Sequence, residues 1–434
     1  MNRFFRYFVI AAAVVLLGFL AFIYAPVQRT PAQSLLAADY AVPAGTGAYT
    51  MRLADCAACH TTEGGKPFAG GRAIISPVGT IYSSNITPDP ETGIGRYSLD
   101  DFRAALYDGL RPDGTHLYPA MPYENYRKLT EEDIRALYSY FQTEVTAVTA
   151  SKPLNKLGFP FNQSWGLRAW KWLALGKAGF TASASDADLA RGQYLVEGPG
   201  HCGACHSPRT ALMAQAALSG DDPAFLSGGQ IAGWTAPPLR GPKSALHGWS
   251  IQDTKLILAT ARNAHAAING EMQLVVRDSS QYMTEGDLTA IATYLDHLNQ
   301  GAAKPAAQVQ TATEKLLISA DPAMDLGPRL YLDNCAACHF ATGRGADEVF
   351  PELDGSSLVT AQSPTGLISM ILRGGALPST AARPERLRMP GFAYRLSDDE
   401  VATLASFLRQ AWTNDTGPVT AAAVAELRKS TSDE

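Results

Sequence analysis

Apolar positions are unevenly spread along this chain. From Tyr7 to Ala25 they run almost unbroken, with Arg3 and Arg6 just ahead of them. A helix of about 20 apolar residues spans a bilayer. The run therefore predicts a signal-anchor over residues 1–30, with a cleaved signal peptide as the alternative. No clean A-x-A site follows it directly, which favours the anchor. Positive residues before the run and a polar, Pro-containing stretch after it place the body outside the cytoplasm. No second run of this kind occurs in the sequence.

Elsewhere the apolar residues follow a helical period. Three segments show apolar spacing of i, i+3, i+4, i+7 behind a Thr or Ser that stands three residues before Asp or Glu: Thr130–Phe141, Thr284–Leu295 and Ser397–Leu408. That start is a capping-box pattern and the spacing is that of an amphipathic helix. Well upstream of each lies a Gly with an aromatic close behind: Gly47 and Tyr49, Gly192 and Tyr194, Gly327 and Tyr331. A helix carrying Gly lets a second helix approach closely, so each opening helix is expected to cross its closing helix near the Gly. One module thus recurs three times, over 44–150, 186–300 and 323–415. Residues 151–185 and 301–322 read as linkers and 416–434 as a polar tail. The first linker carries Trp165, Trp170 and Trp172 between basic residues. These are expected to pack between two domains, with a docking surface as the alternative. The second linker is rich in Ala, Gln and Thr and is expected to be flexible.

Composition narrows the function. Hydrophobic residues make up 46 %, ordinary for a globular protein. Lys and Arg number 36 against 41 Asp and Glu, a net charge of −5. That leaves no basic footprint for nucleic acid.

The cysteines carry the chemistry. There are six, and all belong to Cys-x-x-Cys-His motifs: Cys56, Cys59 and His60; Cys202, Cys205 and His206; Cys335, Cys338 and His339. Each motif reads as a c-type haem attachment site, in which two thiols add to the vinyl groups and the imidazole binds iron from one face. Zinc, a redox dithiol and a disulfide are the rival readings. Zinc draws nearby pairs together, and these pairs lie far apart in sequence. A dithiol has no need of a His after the second Cys in three copies. The motifs predict three covalently bound haem c groups in an all-α protein: three tandem class I cytochrome c domains behind the membrane segment.

A sixth iron ligand is expected from Met, whose thioether favours ferrous iron. Met121 and Met389 each lie well downstream of a motif, before the closing helix, with Pro next to stiffen the loop. In the middle copy, spacing leaves Met272 and Met283 both open. The remaining five His residues, His116 among them, read as surface or satisfied polar groups, with His116 alternatively lining a haem propionate.

Longer strings bring a family into view. Gly79-Thr-Ile-Tyr-Ser-Ser-Asn85-Ile-Thr-Pro-Asp89, His116-Leu-Tyr-Pro-Ala-Met121-Pro-Tyr123, Gly228-Gly-Gln-Ile-Ala-Gly-Trp234 and Leu408-Arg-Gln-Ala-Trp412-Thr-Asn414 resemble the tri-haem cytochrome c subunit of bacterial membrane-bound dehydrogenases. The resemblance covers nearly the whole exported part. It places the middle ligand in a Gly-x-Met string, which Gly270-Glu-Met272 matches. One departure is Ala259-Thr-Ala-Arg262-Asn263, where the family commonly has Lys-Thr-Gly-Arg-Asn. The resemblance implies a chain on the periplasmic face of the inner membrane. Its implied partners are a large catalytic dehydrogenase subunit carrying flavin, PQQ or molybdenum, and a small third subunit in some complexes. Electrons would pass from an alcohol, aldehyde, sugar or sugar acid to ubiquinone or a terminal oxidase. No nucleotide fingerprint or nucleophile–base set points to substrate chemistry in this chain itself. The rivals are a respiratory-oxidase cytochrome subunit and a haem enzyme with one open iron. A pyridine haemochrome assay is expected to give three haems per chain; a value near two would show that one motif is not a haem site.

Overall fold

In the computed structural model of the chain, the described residues are 3–24, 27–37, 39–231, 233–299 and 310–432. The apolar run forms a single helix, Arg3–Tyr24, none of whose residues is buried. It is long and apolar enough to cross a membrane.

Behind it the same order of elements occurs three times. Each unit has an opening helix, a one-turn helix at the Cys-x-x-Cys-His motif, a middle helix and a closing helix. In the first unit these are Thr46–Leu53, Cys56–His60, Leu99–Asp108 and Glu131–Thr143. In the second they are Ala187–Glu197, Gly203–His206, Ile251–Thr260 and Glu285–Leu298. In the third they are Leu326–Asn334, Ala336–His339, Thr365–Arg373 and Asp398–Leu408. Each unit surrounds its own buried apolar cluster, centred on Leu137 and Phe141, on Leu195 and Leu295, and on Leu330 and Leu404.

The crossings fall at the glycines. A Cβ on Gly47 would lie 2.4 Å from Ala136 O, and one on Gly192 would lie 2.0 Å from Ala290 O. On Gly327 it would lie 2.9 Å from Phe407 Cβ. No side chain fits between backbones this close. Each closing helix begins as its capping pattern requires, with Thr130, Thr284 or Ser397 accepting from the backbone N–H three residues on.

Of the three closing helices, that of Ser397 alone has the reciprocal box completed. Asp133 and Asp287 turn their carboxylates elsewhere, and this joins the first two units. Tyr194 of the second unit donates to Asp133 of the first. Tyr49 of the first donates to Asp287 of the second at 2.6 Å. The backbone N–H groups of Thr130 and Thr284 donate to these same two hydroxyls. Each unit thus caps the other's closing helix. Tyr331 has no such partner and donates within its own unit, to Phe340 O. The third unit docks on the second through backbone bonds from Glu348 to Asn263 O and from Glu352 to His265 O.

The fold is rich in helix, but it also has short sheets. Antiparallel strands Ala73–Ser76 and Gly79–Tyr82 pair after the first motif, with Lys156–Leu157 added at the edge. Gly229–Ile231 pairs with Trp234–Ala236, and Gly375–Ala376 with Arg388–Met389. The expectation of a purely helical protein is refined here. Long loops that fold back over a motif must pair their backbone groups, and short ladders do this.

The linkers are also structured. Within 151–185, Trp170 packs between units as expected, edge-on to Tyr123 and donating to Leu212 O. Trp165 and Trp172 instead meet the apolar helix, at Phe19 and Phe22. Of the linker expected to be flexible over 301–322, residues 301–309 lie outside the described residues; Ala312–Ser319 is a helix with Leu317 buried. The stretch read as a polar tail carries the helix Ala421–Ser432, whose Val424 joins the third cluster.

Two glycine replacements in the second unit should have opposite effects. Gly192→Ala drives a Cβ into the Ala290 carbonyl and should cost about 1–3 kcal/mol. Gly286 is exposed with nothing nearer than 3.9 Å to an added Cβ, so Gly286→Ala should gain up to about 1 kcal/mol from helix propensity. Denaturant midpoints of the holoprotein variants check both signs.

Candidate haem sites

On one helical turn, positions i, i+3 and i+4 share a face. Cys56, Cys59 and His60 therefore face together, as do their counterparts in the other units. The chain reaches each motif by a sharp turn after the opening helix; Asp55 and His201 take positive φ of 50° and 38° to make it.

All six cysteines are unpaired. Burial pushes the thiols of Cys59, Cys202 and Cys335 up to about 12 and that of Cys205 to about 11, and raises Cys56 further still. A redox-active dithiol needs a depressed pKa, so this reading loses ground. Among the described residues no three His, Cys, Asp or Glu side chains are grouped to hold a metal ion.

The imidazoles are held alike. His60 Nδ1 lies 2.7 Å from Ser84 O, His206 Nδ1 2.8 Å from Pro237 O, and His339 Nδ1 3.0 Å from Pro351 O. A carbonyl only accepts, so each Nδ1 carries the proton and each Nε2 keeps a free lone pair. Burial lowers all three imidazole pKa values, with the carbonyl bond opposing it. These are neutral, pre-oriented nitrogen donors beside two thiols on one face, and the residues present fit haem c three times over.

The methionine loops share a second pattern. Each middle helix ends in a residue of positive φ: Gly109 at 56°, Ala261 at 66° and Gly374 at 71°. Ala261 stands where the resembled family has Gly, and it adopts the left-handed conformation nonetheless. The loop is then pinched by a bridge or a short ladder. Leu110 pairs with His116 before Met121, and Arg262 pairs with Ala267 before Met272. In the third unit Gly375 pairs with Met389 itself. Met272 opens a short helix, Met272–Asp278, just after Gly270, whose missing Cβ leaves room for the Trp234 ring. Met283 lies past that helix and packs on the second cluster. Met121 and Met389 pack beside the first and third clusters.

Several residues at these sites escape sequence reasoning. Arg72 and Arg209 each donate at 2.5 Å to the carbonyl of the residue before the second Cys, Ala58 O and Ala204 O. They stand at different distances from their motifs, so no fixed spacing marks them. Tyr126 donates to Ala54 O at 2.6 Å and lies edge-on to His201, 5.7 Å between centroids. It thereby links the turns leading into the first two motifs. His116 is buried rather than at the surface, and Lys171 from the linker lies 2.9 Å from its Nδ1 while donating to Gly109 O. Burial brings Lys171 down to about 7 and His116 to about 4.

The chain is similar in sequence to known proteins. A sequence model of the Cytochrome c family matches residues 44–144 and 324–412. The cytochrome c subunit of alcohol dehydrogenase (quinone) from Gluconacetobacter polyoxogenes is 43 % identical over 392 residues, covering 88 % of this chain and 83 % of that protein. The gluconate 2-dehydrogenase cytochrome c subunit of Pantoea cypripedii is 42 % identical over 395 residues, covering 88 % and 89 %. The fructose dehydrogenase cytochrome subunit of Gluconobacter japonicus is 36 % identical over 446 residues, covering 98 % and 90 %.

Proposed function

The chain belongs to the family of dehydrogenase cytochrome c subunits, and from that premise we propose that it is a three-haem electron relay at the periplasmic face of the inner membrane. It takes electrons from a catalytic dehydrogenase subunit that oxidises an alcohol, aldehyde, sugar or sugar acid, and delivers them to ubiquinone or a terminal oxidase. The helix Arg3–Tyr24 anchors it. The observation that carries the reading is the threefold bond from a motif imidazole Nδ1 to a backbone carbonyl.

Covalently bound haem c supplies an iron that takes up and releases one electron at a time. The protein's part is to hold that iron still and closed. Cys56 with Cys59, Cys202 with Cys205, and Cys335 with Cys338 would form the thioethers to haem c. His60, His206 and His339 would offer Nε2 to the iron. Their carbonyl partners fix the tautomer and the plane of each imidazole. Met121, Met272 and Met389 are the residues that would supply a thioether as second ligand to each iron, and an iron so held would have no site for a substrate. Met272 is preferred to Met283 because it follows the Arg262–Ala267 bridge as Met121 follows the Leu110–His116 bridge. The three domains run over 44–150, 186–300 and 323–415. The catalytic partner carries flavin, PQQ or molybdenum.

Replacing Met121, Met272 or Met389 by Ala should open one iron, seen as a high-spin signal, and lower one reduction potential. Met283→Ala should leave the spectrum unchanged; a high-spin signal from Met283→Ala and none from Met272→Ala would reverse the middle assignment.

The relay itself has a direct test. The purified chain alone should oxidise no alcohol, aldehyde or sugar acid. With its catalytic partner and substrate its absorbance should change to the reduced form, and a ubiquinone analogue should reverse part of that change. Substrate-driven reduction of the isolated chain would sink the relay reading, and so would a complex that turns over fully without its haems.

A further inference from the structure

The first linker touches the membrane helix at a depth that decides where the linker lies. Trp165 meets Phe19 edge-on at 5.2 Å between ring centroids. Trp172 meets Phe22 at the same distance, and the Arg168 guanidinium lies over the Phe22 ring at 5.5 Å. The helix ends at Tyr24. At about 1.5 Å of rise per residue, Phe19 sits roughly 7 Å below that end. A helix of 22 residues is about as long as the hydrocarbon core is thick, roughly 30 Å. Side chains in contact with Phe19 and Phe22 therefore lie at the level of the lipid headgroups and upper chains.

The rest of the linker suits that level. It leaves large apolar side chains open: Phe159 is 83 % exposed, Phe161 52 %, Trp172 70 % and Leu173 76 %. Trp172 and Leu173 lie on the helix Leu167–Ala174. The stretch 151–185 has five basic residues and no acidic one, in a chain with a net charge of −5. Lys171 turns inward to His116, whereas Lys156 and Lys177 are exposed. Exposed aromatic and aliphatic side chains flanked by Lys and Arg are the composition of a segment lying in the bilayer interface.

We propose that residues 156–174 form an interfacial strap that lies in the headgroup layer of an anionic bilayer beside the anchor helix. The strap rests on the reading of Arg3–Tyr24 as a membrane helix for its depth. Its exposed apolar face and its basic charge do not depend on that helix being retained. The consequence is orientation. A single anchor leaves the body free to rotate and tilt, while a second contact fixes which face of the first two units looks at the membrane.

The test uses the full haem-loaded chain in vesicles of phosphatidylcholine and phosphatidylglycerol that contain a lipid with a diazirine near the glycerol backbone. After irradiation, mass spectrometry should find lipid adducts on peptides from 156–174 as well as on the end of the anchor helix. The double variant Trp172→Asp, Leu173→Asp should lose the strap adducts while keeping its haem content and its anchor adducts. Adducts confined to the anchor would overturn the strap. So would strap labelling that disappears once the catalytic subunit is bound, because the face would then be a subunit interface. N-terminal sequencing separates the two readings. A mature chain that begins after the apolar run defeats the anchor, and strap adducts are still expected from it. An intact anchor without strap adducts defeats the strap alone.

Discussion

Each motif imidazole is tied to a backbone carbonyl, and much of each unit is arranged around that bond. It leaves Nε2 as the only nitrogen with a lone pair and sets the plane of the ring. A carbonyl must then be delivered to a buried point beside the motif. The chain does this by sending a loop back over the motif helix and pairing the loop's own backbone in short ladders. The strands Ala73–Ser76 and Gly79–Tyr82 lead directly to Ser84, and Trp234–Ala236 leads to Pro237. The sheets of the first two units thus follow from how the histidines are held, while the third, Gly375–Ala376 with Arg388–Met389, shapes the Met389 loop.

Close helix crossings supply the frame. Gly47, Gly192 and Gly327 bring each opening helix against its closing helix, and the motif turn follows from the end of the opening helix. In the first two units the tyrosine after the glycine reaches across to the other unit's closing helix. The frame of one unit is thereby completed by the other. Tyr126 and His201 then stand between the two motif turns. The turns leading into the first two motifs are thus in direct contact. The third unit joins through the loops of the second that carry Asn263, His265 and Trp234, with Trp234 lying against Gly366 as well as Gly270.

The linker between the first two units has three tasks that a simple tether would not have. Lys156–Leu157 extends the first sheet, Trp170 wedges between units, and Lys171 fills a polar niche beside the Met121 loop. Phe180 packs against Tyr194 of the second unit, whereas Trp172 and Leu173 are exposed beside the helix Arg3–Tyr24.

Features that depend on neighbours along the chain could be read from the residues alone. The haem motif, the glycine crossings, the caps of the closing helices and the membrane-length helix are each local patterns of a few residues, governed by helical geometry. Met121 and Met389 stand before their closing helices, a position that is likewise visible in the sequence. What surrounds each motif depends on contacts between segments distant in sequence. The carbonyls that hold the histidines stand 24, 31 and 12 residues from them. Any residue type can offer a backbone carbonyl, so no side-chain signature marks them. Arg72 and Arg209 act alike from unlike positions, and Tyr49 and Tyr194 act across units where Tyr331 does not. The Met272 loop resembles the others in its left-handed turn and its bridge, although its residues differ. Such features rest on what folds against what, and one-dimensional spacing carries no record of that.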